Sequence, residues 1–232
     1  MPRYFMRDTP LRPMERMMMS QPGHKPRGGG MYRSPFYYTP KDVECEYCQS
    51  YDRKNPCLLC ECICLEERIE AGVLNLSEFV RDCFAPSMEQ QLQERMRQQF
   101  RERKSCFFLS DSHRRRWTHW RTLCWCLSDR NKAALFLLTA YESLWRRMVW
   151  KCGNDGFDFQ AVHLHGIKPE LYSVYQAAKA IAVGSSNITL ADLASQELVT
   201  DEAFQLIICA LLMAKYGDVV LNLENGEIKE GN

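Results

Sequence analysis

Two Cys-x-x-Cys pairs stand close together in this 232-residue chain: Cys45-Glu46-Tyr47-Cys48 and, after eight residues, Cys57-Leu58-Leu59-Cys60. Each pair can form a turn that directs two sulfurs toward one ion, and two such knuckles complete a tetrahedral sulfur site. Cys62 and Cys64 follow at once, so half of the twelve cysteines fall between positions 45 and 64. The expected ligands are Cys45, Cys48, Cys57 and Cys60. Cys62 and Cys64 are alternates, because the gap between pairs is shorter than in a usual zinc ribbon and alternation along a strand would put Cys60, Cys62 and Cys64 on one face. Zn2+ is the favoured ion, since four thiolates close its shell. The same ligands suit an iron-sulfur cluster, and a reduced metal-free loop is the third reading. No His, Asp or Glu stands where an open coordination site would lie beside a base, so a catalytic metal is not indicated.

The charge around the cysteines narrows what they can touch. Residues 41 to 85 carry five basic and ten acidic side chains, although the whole chain is nearly neutral at +1. Phosphate would be repelled, and a structural clip or protein-binding knuckle is expected there. Thiols in a reducing cell are better metal ligands than disulfide partners. The sequence shows no secretory pattern, and its best apolar run, residues 204 to 214, stops at Lys215. The expectation is therefore an intracellular, cytoplasmic protein without a membrane span.

Beyond the cysteines the chain reads as mainly α-helical. Residues 1 to 40 hold seven prolines and the Gly28-Gly29-Gly30 run, which predicts a disordered basic arm. The metal-binding module is placed at 41 to 72, with a short helix stopped at Gly72. A helical connector spans 73 to 104, with Ser77 as an N-cap and Met88, Leu92, Met96 and Phe100 forming a narrow stripe on a surface or against another chain. A helical bundle then fills 105 to 217. Its expected helices run from Asp111 or Ser112 to about 127, from 129 to about 151, from 169 to 183, from 189 to 195 and from 201 to 216. Residues 218 to 232 are left as a tail or short hairpin around Asn225-Gly226.

The run Ala134-Leu135-Phe136-Leu137-Leu138-Thr139-Ala140, then Leu144-Trp145, Asp158-Phe159, Asp201-Glu202-Ala203-Phe204 and Tyr216-Gly217 resembles an uncharacterised family of small helical proteins. That family is carried by phages and mobile elements of Gram-positive bacteria. The resemblance covers the C-terminal half, implies a helical fold and a mobile-element setting, and brings no functional residues to transfer.

Other constellations are weighed against plainer roles. Arg114, Arg115, Arg116 and Arg121 beside Trp117 and Trp120, with Arg95, Arg97, Arg101, Arg103 and Lys104 on the preceding helix, form a candidate nucleic-acid surface. The tryptophan spacing matches the apolar stripe of its own helix, which favours core anchors with solvated arginines. His163 and His165 lack a third ligand at a recognisable spacing. Cys124 and Cys126 with His119 suggest a nucleophile and base, but Cys124 lies on the apolar stripe, where a thiol acts as a small hydrophobe. The preferred function is a non-enzymatic, regulatory or interaction protein that contacts a protein partner through its zinc module. The alternative is a nucleic-acid accessory protein using residues 95 to 121 and the basic arm, and a redox or iron-sulfur protein ranks third. Oligomeric state is not legible.

Overall fold

Helix formers and cap residues alternate with short breaks from position 65 onward, and the chain follows them. The computed structural model describes residues 38–84, 90–101, 107–124, 127–153, 156–185 and 187–225, together with Pro10, Pro13, Met14 and Met17. Most of the expected arm, Met88, Arg103, Lys104, Cys126 and the Asn225-Gly226 turn's second residue lie outside them. The chain divides into a unit of residues 1–38 and a unit of residues 39–232. In the second, the α-helices are α1 (Leu65–Glu70), α2 (Leu76–Phe84), α3 (Gln90–Arg101), α4 (Asp111–Leu123), α5 (Asp129–Ala140), α6 (Glu142–Met148), α7 (Pro169–Val183), α8 (Leu190–Ala194) and α9 (Asp201–Tyr216). A two-stranded antiparallel hairpin pairs β1 (Cys152–Gly153) with β2 (Gly156–Phe157). The fold is mainly α, as the sequence predicts.

Helix α5 is the centre. Every residue from Ala133 to Ala140 is buried, because α4, α7 and α9 pack around it. One continuous cluster of buried apolar side chains runs from Leu65 to Leu223, so Leu92, Met96 and Phe100 of α3 share a core with Phe136 and Phe204. The stripe on α3 therefore faces this chain's own interior. Helix α9 and the turn after it form one helical span, Asp201–Leu223, long and apolar enough to cross a membrane, with 56% of its most apolar window buried inside the protein. The sequence reading ended this run at Lys215; α9 ends at Tyr216 and a 3-10 turn follows from Gly217.

Local departures from the sequence reading have physical causes. The single helix expected over 129 to 151 breaks at Tyr141, whose backbone is extended at φ −117° and ψ 125°. Asn75 caps α2 by accepting from the Glu78 N–H at 2.8 Å, while Ser77 donates its hydroxyl to the Phe100 carbonyl at 2.7 Å. Ser110, one residue earlier than expected, caps α4 by accepting from the His113 N–H at 3.2 Å. Residues Gly217–Asn225 wind as a 3-10 helix against α1 and α9, where a tail or short hairpin was expected.

Candidate functional site

The cysteine segment is built from short turns. Pro40–Val43, Cys45–Tyr47 and Leu59–Glu61 are 3-10 turns; Val43 is buried, and the segment leads into the core through Leu65 and Ile69 of α1. The Cys48 N–H donates to the Cys45 carbonyl at 3.0 Å, the tight turn that a first knuckle requires. The second turn is displaced. It closes from the Cys62 N–H to the Leu59 carbonyl at 3.2 Å, and the Leu65 N–H then donates to the Cys62 carbonyl at 3.3 Å. The strand that would carry Cys60, Cys62 and Cys64 on one face is thus replaced by a turn leading into α1. Cys60 is exposed, whereas Cys62 and Cys64 are half-buried.

The sulfurs gather in neighbouring pairs. Partial desolvation first, then the sulfurs of Cys62 and Cys45, raise the Cys57 thiol above its ordinary value. Burial first, then Cys48, pushes the Cys64 thiol up to about 11, with Glu67 and Cys62 adding to it. Arg68 Nη1 lies 4.0 Å from Cys62 Sγ. Crowded thiols resist ionisation because each thiolate repels the next, and a divalent cation reverses that sign. The donor chemistry suits zinc, but among the described residues no group of three or more His, Cys, Asp or Glu is close enough to hold an ion. Four-sulfur coordination would require these pairs to draw together.

The surface beside the sulfurs is apolar as well as acidic. Tyr47 is 74% exposed, Leu58 57% and Ile63 67%, and Glu44, Glu46 and Glu61 are exposed among them.

The arginines of the expected nucleic-acid surface divide by their partners. Arg95 is buried at 7% exposure, donating to the carbonyls of Leu193 (2.7 Å) and Val199 and to Asp201 Oδ1 (3.0 Å), with its guanidinium 4.4 Å above the Phe204 ring. It holds the α8–α9 connection from inside and cannot meet a phosphate. Arg116 donates to the carbonyls of Thr139 (2.8 Å) and Ala140 (2.9 Å) at the end of α5. Arg121 pairs with Asp218, and Arg114 lies over the Phe108 ring at 4.7 Å. Arg97 is exposed beside Glu94, and Arg115 is exposed. Arg101 lies at the C-terminal end of α3. Trp117 is buried and Trp120 packs edge-on against Trp145 at 5.1 Å, which is the core-anchor role.

His163 and His165 are exposed, and their backbone carbonyls accept from Arg147 at 2.9 and 3.1 Å. Cys124 faces another cysteine: its sulfur is 3.5 Å from Cys152 Sγ, while His119 packs edge-on to Trp120. Sequence reasoning missed His113, the most deeply placed ionisable group of α4. Its Nδ1 accepts from the Leu109 N–H at 3.2 Å and its Nε2 meets the Phe136 carbonyl at 2.8 Å. The signal available was its i, i+4 relation to Trp117 on the inward face. Set against protein-family models, curated proteins and solved structures, the chain matches none of them.

Proposed function

We propose that this is a non-enzymatic zinc-binding interaction protein, with the cysteine segment organising a protein-contacting surface, in the phage or mobile-element setting that the C-terminal resemblance implies. The observation that carries this reading is the company the sulfurs keep. Six thiols in two Cys-x-x-Cys pairs and a trailing Cys-x-Cys share a short segment with exposed Tyr47, Leu58 and Ile63 and a rim of carboxylates. Exposed apolar side chains rimmed by charge are the ordinary composition of a protein-binding patch, and their ordering there needs a local staple. The partner's complementary chemistry is an apolar patch edged by basic side chains.

Metal analysis of the purified chain tests the reading. One zinc per chain and no visible absorption are expected; a coloured protein would identify an iron-sulfur centre instead. Cys48→Ser and Cys64→Ser should release the ion, while Cys60→Ser should retain it, because Cys60 lies inside the displaced Leu59–Cys62 turn and is not among the sulfurs that act on Cys57 or Cys64. Leu58→Glu with Ile63→Glu should then abolish partner capture without loss of zinc. Strong, salt-dependent binding to nucleic acid would favour the accessory-protein alternative, for which Arg97 and Arg115 remain as exposed cations.

A further inference from the structure

Cys124 and Cys152 are 28 positions apart in sequence, yet their sulfurs are 3.5 Å apart and both side chains are half-buried. Neither cysteine sits inside regular helix. Cys124 follows the last turn of α4 with φ −101° and ψ 53°, and Cys152 is extended at the start of β1, beside Gly153. Closing from this separation to a disulfide requires the sulfurs to move about 1.5 Å closer, which a helix cap and a two-residue strand can supply. The chain between them contains α5 and α6, so a bond here would tie the end of α4 to the hairpin around the central helix.

We infer that Cys124 and Cys152 form a reversible redox site, in which a small peroxide converts the dithiol to a disulfide that locks the β1–β2 hairpin onto the end of α4. Burial, and then the adjoining Cys124 sulfur, push the Cys152 thiol up to about 12, so Cys152 is the sulfur that keeps its proton. Cys124 is then the attacking sulfur. Its thiolate takes one oxygen of hydrogen peroxide: an S–O bond forms, the O–O bond breaks, and the released hydroxide takes a proton to leave as water. Cys152 next attacks the sulfenic sulfur; the S–S bond forms, the S–O bond breaks, and the Cys152 proton departs with the hydroxyl as a second water. Two thiols lose two electrons, and one peroxide is reduced to two waters. A dithiol reductant reverses the step.

This site is separate from the 45–64 cysteines, and its test reads positions 124 and 152 directly. The full reduced chain, with zinc present, is titrated with hydrogen peroxide, alkylated and mapped by proteolysis and mass spectrometry. The expected product is a peptide pair joining Cys124 to Cys152, reversible by dithiothreitol, with a melting temperature several degrees higher in the oxidised form, as loop closure implies. In Cys152→Ala, a sulfenic-acid probe should label Cys124; in Cys124→Ala it should leave Cys152 unlabelled. Consumption of both thiols without that linked pair, or linkage of Cys124 to Cys126 in its place, overturns the inference. Because mapping of the wild-type chain decides it, a variant that fails to fold leaves the conclusion intact.

Discussion

His113 shows how one side chain can set a pH limit on the fold. Its two hydrogen bonds assign the neutral tautomer with the proton on Nε2, donating to Phe136 and leaving Nδ1 to accept from Leu109. A second proton would set Nδ1–H against the Leu109 N–H in a site with no exposure, and burial accordingly lowers the group to about 4 from 6.5. Between those values the unfolded chain binds more protons than the folded one, so stability rises with pH across the window. Acidifying from pH 7 to pH 4 should cost on the order of 3 kcal/mol from this group, read as a fall in the urea midpoint. His113→Gln should flatten that slope. The lowered carboxyls of Asp42, Asp52 and Asp192 lose their contribution progressively as pH falls from about a unit above 3.8 through their folded values, so it lies mostly on the acid side of the histidine window. At Arg95 the corresponding experiment is Arg95→Met, which strands the Leu193 and Val199 carbonyls. A loss of about 3 kcal/mol is expected, and Arg95→Lys should not restore it because one ammonium cannot span the same acceptors.

Among the elements, the most consequential event is the break at Tyr141. No Gly or Pro marks it, and helical periodicity continues through Leu144, Trp145 and Met148. The end of α5 is held from outside: Arg116 of α4 occupies the Thr139 and Ala140 carbonyls, and the Thr139 hydroxyl turns back to Leu135 and Phe136. With these acceptors satisfied the chain can leave the helix and begin α6 at a new angle. Arg116→Ala should destabilise by about 1–3 kcal/mol. Hydrogen exchange should show the added opening at the α5–α6 junction while α9 stays protected; uniform loss of protection would contradict the capping role. At the other end of the core, Gly217 stops α9 with φ 78° and ψ −166°, and a Cβ there would meet Asp129 at 3.6 Å. Gly217→Ala should cost roughly 1–3 kcal/mol from backbone strain, measured by thermal unfolding.

Across the whole molecule, the cysteine segment and the helical core are connected but differently stabilised. The core buries its apolar residues continuously, whereas most of residues 44 to 61 are exposed and held by short turns. On the proposed zinc-bound reading, a chelator should increase exchange in residues 44 to 64 and leave α5, α7 and α9 protected. The link between the two is α1, packed on the terminal 3-10 turn with Asn222 donating to the Glu70 carbonyl at 3.1 Å. Exchange should therefore increase through α1 and diminish toward Leu223.

The amino-acid sequence alone determined the helical class, the inward placement of Trp117, Leu135 and Leu138, and the ends of α7, α8 and α9, because periodicity, Pro169, Thr189 and Thr200 act on their immediate neighbours. It also supplied the cysteine spacing. Tertiary structure decided which polar residues turn inward and which sulfurs meet. Arg95 and Arg116 have local surroundings like those of any surface residue, and the acceptors of Arg95, His113 and Arg116 lie between 23 and more than 100 positions away. Cys124 meets Cys152 only because α5 and α6 fold the intervening chain back on itself. Hydrophobic pattern is a property of neighbours along a chain, while hydrogen-bond satisfaction in a buried site depends on whatever the packed fold brings beside it.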